Sequence, residues 1–198
     1  MRWAGAMTGS EETRFNEATV MVLHAVTGIK AERLRQVTLR PRSSNALYLP
    51  WYAERPGGAF VQGDRITVTD ELHRAVQERD AARTLRWLLL MAHEVVHVEQ
   101  AWRTGGHRAS KWRFTARTVA GYVSSFLRHG TAAHRMATME QEAETGRTRL
   151  RELMRRTGGV QPGHHVIDLV LRNDEVSMKA FLDRNDALIR QLRSASVV

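Results

Sequence analysis

The chain contains no cysteine. Disulfides and cysteine-ligated metal are therefore excluded, and the composition is compatible with a reducing compartment. Lysine is scarce: Lys30, Lys111 and Lys179 are the only ones, so nearly all the positive charge is arginine. Long hydrophobic runs are missing too. The longest, Trp87 to Ala92, falls far short of the roughly 20 residues that span a bilayer. The first residues, Met1 to Ser10, are followed by Glu11 and Glu12 and lack the apolar stretch of a secretory signal. These absences lead us to expect a soluble protein made in the cytoplasm, with no membrane partner.

What is present is enough apolar material for a real core, 42% of 198 residues, in one domain or one domain with an appendage. The net charge is +9, and it is unevenly placed. Residues 81–160 hold 14 basic against 6 acidic side chains, whereas the flanking segments are nearly balanced. Such an excess attracts polyanions, nucleic acid among them. The plainer reading, arginines on solvated helix faces, is preferred, so a nucleic-acid partner is kept open without being favoured.

Helical spacing of Phe15, Ala18, Val22, Ala25, Val26 and Ile29 predicts a helix from Glu11 to about Val37, broken near Gly28. His24 on this stretch reads as a core or cap histidine. Val37–Arg40 and Ala46–Leu49 are short extended candidates, and Gly57–Thr69 reads as a hairpin turning at Gln62–Arg65. A small antiparallel sheet is therefore expected before the centre of the chain. A helix follows, with Asp70 as its expected N-cap; Asp80 caps a second, from about Ala81 to Arg103. Later helices are expected over 110–128 and 131–156. Val166–Leu171 is strand or helix, and a last helix runs from Glu175 to about Arg193. The fold class expected is α+β, mostly helical. Residues 1–159 form the main domain, and 160–198 a C-terminal helical appendage.

The central helix carries His93-Glu94-Val95-Val96-His97. Residues i and i+4 lie one above the other on a helix, so both imidazoles reach one metal ion. Glu94 sits about 100° round the helix from His93, beside that ion, where it can take a proton from bound water. The surrounding Leu88, Leu89, Leu90, Met91, Ala92, Val95, Val96 and Val98 are apolar nearly all round, which places the helix in a core. Polar groups buried there need partners.

A catalytic zinc usually has three protein ligands and one open position. The metzincin pattern would put a histidine six residues after His97, but Arg103 stands there, so that class is excluded. His107, ten residues on, is one candidate. Glu140 is the best of the later carboxylates: it lies one turn before Ala143, whose small side chain lets two helices approach. Glu142 points about 200° away from it, so both cannot face one ion. His134 reads more readily as an exposed helix histidine.

His93-Glu-Val-Val-His-Val-Glu-Gln100 with Glu140-Gln-Glu-Ala143 downstream resembles the gluzincin side of the zinc metallopeptidases. More narrowly, it is similar to a bacterial zincin-like family of domains associated with extracellular contractile injection systems, whose helix reads His-Glu-x-x-His-Val-x-Gln. Val95 stands where leucine is more usual. The likeness covers roughly 15–145, and includes the strand-turn-strand of Gly58–Val68. It implies a zincin-like fold for 1–159, Zn2+ as cofactor, His93, His97 and Glu140 as its ligands, and Glu94 as general base. The expected function is zinc-dependent hydrolysis of a peptide bond in a protein or peptide substrate. Tyr122 and His107 are weak candidates for the oxyanion donor, and the strand at Ile66–Thr69 is a candidate to pair with the substrate. Two alternatives stand beside this reading. One is a catalytically silent structural, effector or accessory module with an injection-system partner, delivered out of the cell by a non-classical route. The other is a DNA-associated protease similar to the SprT type, with His107 as third ligand.

Overall fold

The computed structural model describes residues 12–41, 59–103 and 138–195. The expected strand at 46–49 and helix at 110–128, with His107, Tyr122 and His134, lie outside these residues.

The first helix, α1 (Glu17–Thr27), starts at Asn16, whose side-chain oxygen accepts from Thr19 N–H at 2.9 Å, the usual N-cap device. It stops at Gly28, which adopts φ 78°, a left-handed conformation that costs glycine nothing. His24 sits on that last turn, its Nδ1 2.7 Å from the Ile29 carbonyl oxygen. A short helix α2 (Ala31–Leu34) follows. The expected long helix is thus two pieces.

Four strands make one sheet: β1 (Thr13–Arg14), β2 (Thr38–Pro41), β3 (Phe60–Gln62) and β4 (Arg65–Val68), in the order β1-β2-β4-β3. The hairpin β3–β4 is where the alternation placed it. The sheet is nevertheless mixed, which corrects the antiparallel expectation: β2 runs parallel to β4, with Leu39 opposite Ile66. Hydrophobic alternation fixes which face of a strand is buried, and Leu39, Ile66 and Val68 are all buried; it says nothing about the direction of a partner distant in sequence. The order also makes β4 an inner strand. It therefore has no free edge for a substrate, contrary to expectation, and among the described residues β3 is the edge on that side.

Helix α3 (Asp70–Arg74) is capped by Thr69, not Asp70: the threonine hydroxyl accepts from Leu72 N–H at 3.4 Å. Asp80 caps α4 (Ala81–Arg103), accepting from Arg83 N–H at 2.9 Å. Then come α5 (Thr138–Thr157), α6 (His165–Arg172), α7 (Glu175–Arg184) and α8 (Asp186–Ser194). The 166–171 run is helical, with His164 as N-cap, and the single last helix is two, meeting at Asn185.

Helix α4 is the hub. It packs against α1, α3, α5, α6 and β3. Trp87, Leu88, Met91, Ala92, Val95 and Val98 on it are buried. Val166, Ile167, Leu169 and Val170 of α6, Met178 and Phe181 of α7 and Ile189 of α8 belong to the same core cluster. The segment expected as an appendage therefore contributes to the core that holds α4. At about 1.5–3 kcal/mol for each large apolar side chain fully buried, that contribution is substantial. The result is an α+β molecule, mostly helical, with a small mixed sheet. No helix among the described residues is long and apolar enough to cross a membrane.

Candidate metal centre

Helices α4 and α5 lie side by side and antiparallel. Arg103 pairs with Glu142, His97 with Glu140, His93 with Glu144, and Ala92 abuts Gly146. The closeness of the two helices depends on small residues. Ala143 is fully buried, as its place after Glu140 suggested. Gly146, one turn further, is tighter: a Cβ built there would run into the Ala92 carbonyl oxygen and lie 3.1 Å from Val96 Cγ2.

This approach brings three expected ligands together. His93 Nε2 is 3.1 Å from His97 Nε2 and 3.4 Å from Glu140 Oε2, and His97 Nε2 is 3.6 Å from Glu140 Oε1. Nitrogen and oxygen donors arranged tetrahedrally at about 2.0–2.2 Å from a metal stand about 3.3–3.6 Å apart. The three separations, in which the two imidazoles face different oxygens of the Glu140 carboxylate, are thus close to the edge length of a coordination tetrahedron. Among the described residues His93, His97 and Glu140 form a group able to hold a metal ion.

The outer nitrogens of the histidines say which inner atoms are free to coordinate. His97 Nδ1 is 2.9 Å from Gln100 Oε1. The amide nitrogen of Gln100 donates to the Met139 carbonyl at 3.0 Å and to Glu142 Oε2 at 2.8 Å. An amide oxygen only accepts, so Nδ1 carries the proton and neutral His97 has its lone pair on Nε2. His93 Nδ1 is buried and 3.3 Å from Glu144 Oε2, within ion-pair range but out of hydrogen-bond alignment. That carboxylate is itself paired with Arg147 at 3.1 Å. With both imidazoles neutral and protonated on Nδ1, two Nε2 lone pairs and a carboxylate converge as acceptors only, an arrangement that a cation between them resolves. The donor set fits a metal ion by this test.

Glu94 is also buried, with 6% of its surface exposed. Burial pushes its carboxyl above the ordinary range, while His97 and His93 pull the other way. For His97 burial acts to lower the pKa, but the bond to Glu140 and the charge of Glu94 outweigh it and the net shift is upward. Glu142 turns away from this group toward Gln100 and Arg103. Although burial acts to raise its pKa, those two partners hold it below the usual value.

Of the expected site residues, His93, Glu94, His97 and Glu140 are assembled in one place. Gln100, Glu144, Gly146 and Arg147 were not assigned roles from the sequence. Glu140, Glu144 and Arg147 follow an i, i+4, i+7 stripe, and that spacing could have flagged the latter two. No protein-family model, no curated protein and no solved structure matches this chain.

Proposed function

We propose that the chain is a zincin-like, zinc-dependent metallopeptidase. The convergence of His93 Nε2 and His97 Nε2, 3.1 Å apart, on the two oxygens of the Glu140 carboxylate at 3.4 and 3.6 Å supports this reading most directly. A two-nitrogen, one-oxygen donor set suits zinc, and three protein ligands leave one position for water. When bound, a zinc ion supplies Lewis acidity that brings the pKa of its water to about 7.

The remaining work falls to the chain's own residues. Glu94 is next to the histidines in sequence, buried, and electrostatically coupled to both. Its raised proton affinity suits a group that accepts a proton from water as the nucleophile forms and hands it to the departing amine. Gln100 and Glu144 hold the two imidazoles from behind. The edge strand β3 packs on α4, and its outer side is where an extended peptide could add as a further strand. The substrate class proposed is therefore an unfolded or extended polypeptide.

The test is Glu94→Gln. The variant should keep one zinc per chain and lose cleavage of a pool of unstructured peptides, read by mass spectrometry, by roughly 10²–10⁴-fold. If the wild-type protein takes up no zinc, and His93→Ala leaves its melting temperature with added zinc unchanged, the proposal fails.

A further inference from the structure

Gln100 has hydrogen-bond partners on both α4 and the turn of α5 that carries Glu140, and nothing in the proposed reaction uses it directly. It is 5% exposed. Its amide oxygen faces His97 Nδ1 at 2.9 Å, and its amide nitrogen faces the Met139 carbonyl at 3.0 Å and Glu142 Oε2 at 2.8 Å. Both partners of the nitrogen are pure acceptors. Turning the amide over would aim its oxygen at two oxygens and its NH2 at His97, so the observed orientation is the one the chemistry allows.

Two consequences follow from that single orientation. Neutral His97 must hold its proton on Nδ1, which leaves Nε2 bare toward His93 and Glu140. The opposite tautomer would put a proton where a metal belongs. The same amide also grips α5 on both sides of Glu140, at Met139 just before it and at Glu142 two residues after it. One ligand's tautomer and the other ligand's helical turn are therefore set by one side chain. Glu142 in turn is held by Arg103, so the clamp reaches the end of α4 through an ion pair.

We propose that Gln100 is a positioning residue that fixes the coordinating tautomer of His97 and couples it to the seating of Glu140, with Glu142 acting through Gln100. It rests on the zinc reading for its affinity arm and is independent of zinc for its tautomer arm. A glutamine that merely filled space would affect stability alone.

The experiment compares wild type, Gln100→Leu, Glu142→Leu and the double variant. Zinc affinity is measured by chelator competition, and the His97 ring nitrogens are observed by 15N NMR of the metal-free protein at pH 9. In wild type, His97 should show the Nδ1–H tautomer. Gln100→Leu should bind zinc about 10–100-fold more weakly and show a mixture of tautomers in a protein whose circular dichroism is unchanged. Glu142→Leu should weaken zinc binding less, and adding it to Gln100→Leu should cost almost nothing more, because its effect passes through the missing amide. Should Gln100→Leu not fold, Gln100→Glu takes its place: it keeps an acceptor for Nδ1 and should hold the Nδ1–H tautomer while losing the grip on Met139. The proposal is overturned if folded Gln100→Leu keeps wild-type zinc affinity within twofold. It is equally overturned if His97 keeps its tautomer in Gln100→Leu, loses it in Gln100→Glu, or if the two substitutions are additive. Failure of wild type to bind zinc, with the tautomer shift still present, would sink the zinc reading and leave the tautomer assignment supported.

Discussion

Two helix seams of this molecule are buried alike and built on opposite plans. Between α4 and α5 the seam carries the buried His93, Glu94 and Gln100 and the half-buried His97 and Glu140, with the helices held close by Ala143 and Gly146. Between α1 and α6 the polar groups are few and close a reciprocal cap. Asn16 Nδ2 donates to the Val170 carbonyl at 2.8 Å, and Ala18 N–H donates to Asn173 Oδ1 at 3.1 Å. The space around them is filled by Val20, Val166, Ile167 and Val170, all fully buried. The first seam spends stability on polar groups that need each other, and the second supplies it. If that contrast is right, changes in one should be felt in metal binding and changes in the other only in the melting temperature.

The largest effect should come from removing a ligand. His97→Ala should weaken zinc binding, measured by chelator competition, by more than the roughly 100-fold typical of an outer hydrogen-bond partner. Next, Ile167→Ala in α6 should cost about 2–5 kcal/mol in denaturant unfolding, with zinc affinity unchanged; a coupled loss of zinc would break the separation of the two seams. Gly146→Ala should disturb both quantities, because the added methyl pushes α5 and its Glu140 away from the Ala92 carbonyl. Its cost in stability should be about 1–3 kcal/mol, with a measurable drop in zinc affinity. Asn16→Ala should be the mildest of the stability changes, about 0.5–2 kcal/mol from the cap, again without effect on zinc.

A pH series sharpens the comparison further. Burial raises the Glu94 pKa in the folded state above its ordinary value of 4.5. A carboxyl so shifted favours folding fully below that ordinary value, and the benefit is lost as pH rises through the folded pKa. Metal-free Glu94→Gln should therefore melt above metal-free wild type at pH 8, and the gap should close below about pH 4.5. A gap that widens on acidification would mean that Glu94 is stabilised as an anion.

The parts of the fold that were legible in the sequence are those written in local pattern. The 81–103 helix announced itself by apolar residues on every side and a cap at Asp80, and the β3–β4 hairpin by alternation around Gly63-Asp64. The two histidines were legible because helical periodicity converts spacing into position, and Glu140 because the small Ala143 follows it by one turn and the family resemblance implies a glutamate there. What was hidden depends on distant partners. The parallel pairing of β2 with β4 is a choice between strands separated in the chain, and no residue in either encodes it. Val166–Leu171 was ambiguous because a six-residue apolar run satisfies a buried strand and a short helix equally well; the His164 cap decides it. Thr69 displaced Asp70 as a cap by one position, within the range where both side chains suit. Gly146 and Gln100 were readable only as a helix glycine and a polar residue until α4 and α5 were laid side by side.

The Asn16–Val170 and Ala18–Asn173 bonds also bear on how the chain is made. They join positions 154 and 155 residues apart. Helix α1 packs on α4, α5, α6, α7 and α8, all of which follow it in the chain. During synthesis at about 5–20 residues per second, the apolar side of α1 waits on the order of ten to thirty seconds before the segment that closes over it has been polymerised. Such late closure makes the nascent amino-terminal part a natural client for a holding chaperone. It also means that a chain ending before residue 165 would have its metal-binding motif complete and its first helix covered by α4 and α5 but not by α6, α7 and α8.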